Sequence, residues 1–144
     1  MKKMAMLVAV VLMSAGVMAQ DAKKPVDKAF APLQGTWTIT TFNGQSTDGM
    51  GGTSALVIKD DKYQQVTSGT VDERGSLKLD ATKKPMTIDL IIEEGNDAGK
   101  LQLGIIEVTG DTMKVKLNLA GATPRPTSFE AEEGQILVTA TRAK

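Results

Sequence analysis

Met113, Val115, Leu117 and Leu119 occupy every second position of one segment, and Lys114, Lys116 and Asn118 fall between them. A period of two sorts side chains onto opposite faces of a pleated ribbon, so this segment reads as a strand with its apolar face toward a core and its polar face toward water. A helix would scatter the same aliphatic residues around its axis. The period recurs from Gly35 onward: Trp37, Ile39 and Thr41 share one face of a first strand, with Thr36, Thr38 and Thr40 on the other. Further strands are predicted over Ala55 to Lys59, Lys62 to Thr67, Thr70 to Asp72, Ser76 to Leu79, Met86 to Ile92, Leu101 to Val108, Thr127 to Ala131 and Gln135 to Arg142.

Turn chemistry punctuates these runs. Asn43-Gly44 supplies turn chemistry after the first strand, Asp60-Asp61, Glu73-Arg74-Gly75, Thr109-Gly110-Asp111 and Glu132-Glu133-Gly134 each separate two strands, and Gly75 is expected to take a positive φ. Ser46 to Thr53, Glu93 to Lys100 and Gly121 to Pro126 read as loops. Eight to ten short strands in this arrangement make an all-β antiparallel meander. An open meander exposes a row of unpaired amides at each edge, and closure into a barrel of about eight strands removes them. A two-sheet β-sandwich has the same alternation and is the alternative.

The beginning of the chain obeys different rules. Met1-Lys2-Lys3 is positive, and Met4 to Met13 is apolar but too short to cross a bilayer. Val17-Met18-Ala19 follows with a small residue at the end, so residues 1–19 read as a secretory signal peptide cleaved before Gln20. Residues 20–32, interrupted by Pro25 and Pro32, read as an N-terminal tether with at most a turn of helix from Asp27 to Ala31. Residues 33–144 are then the β domain, with no transmembrane segment left after cleavage. An exported product is destined for the periplasm, the cell surface or the medium.

Composition narrows the chemistry. The chain has no Cys and no His. Disulfides, the usual zinc, copper and haem ligand sets, and Ser-His or Cys-His pairs are all out of reach, so no cofactor or metal is predicted. The 17 basic and 17 acidic side chains balance. Loss of Lys2 and Lys3 with the leader tips the rest slightly acidic, which argues against a nucleic-acid partner.

A few residues stand out. Closing a meander brings the first and last strands together, so Arg142 either lies over the Trp37 ring at the barrel floor or is a surface charge beside a core Trp. Asp89 and Glu107 sit inside apolar strands and by alternation face solvent; turned inward, either would have a raised pKa and could bind a polar head or act as an acid. Tyr63 and Gln65 share strand parity, and Tyr63 either packs in the core or offers a hydroxyl at a cavity mouth. Arg125, between Pro124 and Pro126, either pins its loop through a salt bridge or recognises an anionic group. Pro85 after Lys83-Lys84 marks a strand entry.

Four ordered blocks carry a family resemblance: Leu33-Gln34-Gly35-Thr36-Trp37; Asp80 to Pro85 with Ile88-Asp89-Leu90; Gly104 to Val108 with Gly110-Asp111-Thr112-Met113; and Arg125-Pro126 with Phe129. In these the chain resembles an uncharacterised family of small exported β modules, common in planctomycetes and similar bacteria, that is lipocalin-like. Gly35-x-Trp37 together with Arg142 is similar to the lipocalin pattern more widely. The resemblance implies structural roles for Gly35, Trp37, Pro85, Asp89, Asp111, Phe129 and Arg142, with Trp and Arg at a closed end and an open mouth able to hold a small apolar molecule. The chain departs from the pattern in lacking Cys and in having no aromatic at Thr109-Gly110-Asp111.

Three functions are compatible with these readings. One is a lipocalin-like barrel binding a small apolar ligand in its interior, with Tyr63, Gln65 and Arg125 as ligand-binding candidates; it requires a connected void of about 300 Å3. Another is a non-catalytic structural or protein-interaction domain of the cell envelope. The third, an enzyme using Asp89, Glu107 or Tyr63, is the least supported.

Overall fold

A computed structural model describes residues 27–48 and 52–143; the expected leader, its cleavage point and most of the tether lie outside the described residues. Among the described residues nine strands form one antiparallel sheet: β1 (Gly35–Phe42), β2 (Gln45–Ser46), β3 (Ser54–Lys59), β4 (Lys62–Thr67), β5 (Thr70–Asp80), β6 (Met86–Glu94), β7 (Leu101–Thr109), β8 (Thr112–Asn118) and β9 (Gln135–Arg142). From β3 to β9 each strand pairs with the next, and β1 pairs with both β3 and β9. Eight strands therefore close into a barrel, and the sandwich alternative is excluded.

β1 is shared between partners. Gly35 to Thr38 pair with β3, whereas Thr41 and Phe42 pair with the extra strand β2, which folds back across the Asn43-Gly44 turn. On its other edge β1 meets β9 from Trp37↔Arg142 to Phe42↔Val138, with a bulge between Ile39 and Thr41. The turn at the start of β2 and those before β5, β7 and β9 lie at one end of the barrel, the mouth. The turns before β4, β6 and β8 lie at the other, the floor.

The floor is plugged from outside the sheet. A 3-10 helix, Lys28–Leu33, starts at Asp27, whose side chain accepts from Ala29 N, and places Phe30 and Leu33 in the core. Phe30 thus belongs to the core rather than to a tether. Over this plug Trp37 is completely buried and donates its indole N–H to Leu33 O at 2.8 Å. The core continues up the barrel through Ile58, Leu77, Ile88, Ile106, Met113 and Val115.

Two expected elements are corrected. The predicted turn at Glu73-Arg74-Gly75 does not exist, because β5 runs unbroken through it and the hairpin turns at Ser68-Gly69, with φ of 49° and 86°. Gly75 keeps strand geometry, and its missing side chain is what matters: a Cβ there would collide with Ile91 O and lie 2.8 Å from Tyr63 Cε1. The predicted strand Thr127 to Ala131 is also absent. β8 pairs directly with β9, from Thr112↔Thr141 to Asn118↔Gln135, so the sheet has no position left for it. Residues 119–134 instead cross the outside of the barrel as a strap.

Candidate functional site

The barrel is hollow toward its mouth. A cavity of about 220 Å3 lies inside it, walled by aliphatic side chains such as Leu56, Leu77, Ile88, Leu90 and Val115, with Met113 and Ala140 toward the floor. Phe42, Gln65, Glu73, Asp97, Gln102 and Ile136 line it toward the mouth. These positions follow from strand parity, since β5 turns Glu73, Gly75, Leu77 and Leu79 to one side. The volume falls short of the connected void of about 300 Å3 that the binding reading required, so that requirement is not met and a drug-sized ligand does not fit. It exceeds the cavity of about 150 Å3 that takes up benzene.

Tyr63 enters the cavity wall as a buried ring with a polar tip. It is 2% exposed, and its hydroxyl donates to Glu73 Oε1 at 2.8 Å. Burial pushes its pKa well above the usual tyrosine value, helped by the hydrogen bond to Glu73 and by the charges of Glu73 and Glu93. The phenol is therefore a lasting donor and no acid at physiological pH. Gln65 lines the cavity as its strand parity with Tyr63 requires.

Arg125 is elsewhere. It lies in the strap, 2.7 Å from Asp89 Oδ1, and donates through Nη1 to Ile88 O at 3.1 Å and Gly104 O at 2.9 Å. Of the two roles considered for it, the geometry is that of the loop-pinning salt bridge, and Arg125 is not among the cavity residues. Asp89 faces outward as alternation requires, but meets Arg125 as an ion pair rather than open water. Glu107 also faces outward, exposed and 4.0 Å from Lys114 Nζ. Asp89, Glu107 and Tyr63 are thus not brought together, and no group of three or more His, Cys, Asp or Glu among the described residues is arranged to hold a metal.

The floor gathers the other candidates. Arg142 lies 4.2 Å from the Trp37 ring centroid. Its Nε meets Asp111 Oδ1 at 2.9 Å, Nη2 donates to Pro32 O at 2.9 Å, and Nη1 donates to Gln34 O. Gly35, at φ 117°, passes close beneath, where a Cβ would lie 3.2 Å from Arg142 Nη1. Pro85 immediately precedes β6, and Phe129 sits in the strap with the Lys114 ammonium 5.3 Å from its ring centre.

Glu73, Asp97 and Gln102 were not among the candidates read from sequence. Glu73 was hidden by taking Gly75 for a turn residue, although Glu73, Gly75, Leu77 and Leu79 keep strict alternation. Gln102 interrupts an apolar strand with a side chain 8% exposed. Asp97 belongs to the loop between β6 and β7, which has no period to read.

No helix among the described residues is long and apolar enough to cross a membrane. No family model, curated protein or solved structure matches the chain.

Proposed function

We propose that this chain is an exported binding protein that holds a small, largely apolar molecule in the upper half of its barrel. The carrying observation is the aliphatic cavity of about 220 Å3, set between a plugged floor and the mouth. Its size limits the occupant to about one ring or a short chain. The signal-like leader and the resemblance to exported lipocalin-like modules support the same reading. An enzymatic role has less support, because of the three candidates Asp89 and Glu107 face outward and only Tyr63 reaches the cavity, as a phenol with a raised pKa.

The test is direct. Toluene or indole titrated into the leaderless protein is expected to raise its melting temperature and shift NMR resonances of Leu77, Ile88 and Val115. Val138→Phe, which fills the cavity from β9, is expected to abolish both effects. Absence of any shift in the unsubstituted protein at millimolar probe would end this reading.

One observation favours a second reading, an interaction domain of the cell envelope. Ile91 and Leu101 are cross-strand partners on the outer face, 42% and 44% exposed. Leu119, 51% exposed, starts the strap where Gly121 N returns to Leu101 O at 2.8 Å. Three large apolar residues at one place form a small patch rather than scattered exposure. Leu101→Lys is expected to reduce capture of an envelope partner while leaving probe binding unchanged.

A further inference from the structure

The charged side chains that line the cavity are both acidic. Glu73 and Asp97 line it, and among the described residues no Lys or Arg does. Lys100 answers Asp97 from the solvent side at 3.1 Å, both side chains being largely exposed. Glu73 has no cationic partner among the described residues, and its hydrogen bond there is the one it accepts from Tyr63. The buried phenol remains the donor in this contact, so it brings no positive charge to the carboxylate.

Gln102 places a further polar group in the cavity wall. Only 8% exposed, it lines the cavity and donates through its side-chain nitrogen to Asn118 O at 2.8 Å. Its Oε1 accepts no hydrogen bond among the described residues. That oxygen is an acceptor at the cavity wall that a ligand bringing donors can use. A carboxylate-headed ligand would meet like charge at Glu73. A plain hydrocarbon would displace water from Glu73 and offer nothing in return.

We infer that the ligand class is small organic ammonium ions: a primary amine on an apolar body of about one ring, with the ammonium at Glu73 and the body among Leu77, Ile88 and Leu90. This inference rests on the binding reading above and specifies its ligand. The amine supplies three donors and the opposite charge, whereas the walls contribute only apolar contact.

Four probes of one size separate the possibilities: benzylamine, benzyl alcohol, toluene and benzoate, each titrated by calorimetry at neutral pH and low salt. Benzylamine is expected to bind about tenfold or more tightly than benzyl alcohol, and benzoate most weakly. Glu73→Gln, which keeps an acceptor for Tyr63, is expected to bring benzylamine down to the level of the alcohol while toluene binding is kept. Asp97→Asn is expected to have a smaller effect, since Lys100 already answers that charge. Equal or tighter binding of toluene or the alcohol, or an amine preference that survives Glu73→Gln, would overturn the ammonium inference and leave the apolar-binding reading standing. No binding by any of the four would overturn both.

Discussion

Arg142 shows how much one side chain can organise when its donors are fixed in a plane. It stacks on Trp37, pairs with Asp111, and donates to the carbonyls of Pro32 and Gln34, tying β9 to the plug and to the turn before β8. A lysine cannot make this set of contacts at once, so Arg142→Lys is expected to cost about 2 kcal/mol in urea unfolding with an unchanged m-value. Asp111→Asn is expected to cost less than about 1 kcal/mol, because the Asp111 side chain is 72% exposed and its pairing is screened by water. Tyr63 gives a pH prediction. Its pKa is raised in the fold, so the folded chain holds the phenolic proton more tightly than the unfolded chain does. The associated stability is complete below the ordinary tyrosine pKa of about 10 and declines as pH climbs from there toward the raised folded value, by about 1.4 kcal/mol per pH unit. Tyr63 is the chain's one tyrosine. Its phenolate absorbance is therefore expected to appear together with alkaline unfolding, and Tyr63→Phe is expected to flatten the fall in stability above pH of about 10.

At the scale of elements, the strap 119–134 depends on a buried ammonium. Lys116 is 0% exposed, and its Nζ donates to Ser128 O, Glu130 O and, at 3.1 Å, Glu132 Oε2. Asn118 holds Ala122 O and Pro124 O, and Arg125 holds Asp89. Lys116→Met keeps the aliphatic stem but strands two carbonyls, and is expected to cost about 2 to 3 kcal/mol. Hydrogen exchange is the measurement: faster exchange in residues 119–134, with β3 and β4 unchanged. Glu132→Gln is expected to cost under about 1 kcal/mol, since that carboxylate is half exposed. The strap also marks where the sequence stops being readable. Alternation correctly turned Lys114, Lys116 and Asn118 outward, but the expectation that this face meets water is wrong for Lys116 and Asn118. Period identifies the side a residue takes, not what lies over it, and the strap is bound through backbone carbonyls, which look the same at every residue. The same capture explains why Thr127 to Ala131 is no strand, since the carbonyls of Ser128 and Glu130 that a ladder would use are taken by Lys116. Most barrel strands were legible from local period, and chain closure offered the floor contact of Trp37 with Arg142 as one of two readings, the one the structure shows. Glu73, Asp97 and Gln102 were not, because the cavity gathers them from three separate segments.

For the whole molecule, the question is why the interior is left unfilled. At roughly 24 cal/mol per Å3 for a closed, dry cavity, a volume of about 220 Å3 would forgo at most about 5 kcal/mol of packing, and less where its polar mouth admits water. That matches the lower end of net stability for a small domain, near 5 kcal/mol, and this chain has no disulfide to compensate. Aliphatic walls at Leu56, Leu77 and Val115 also give bulk water few partners, so solvent does not replace the missing contacts well. A side-chain-free interior of this size is what the proposed binding role requires. Stability and binding should then move in opposite directions when the void is closed from within. Val138→Phe, at a half-buried wall position, is expected to raise stability by about 1 kcal/mol in urea unfolding while removing the thermal shift produced by toluene or benzylamine. If the variant instead lost stability, the wall around β9 would already be packed and the cavity too rigid to take a ring. If it gained stability and still bound the probes, they would be binding outside the barrel.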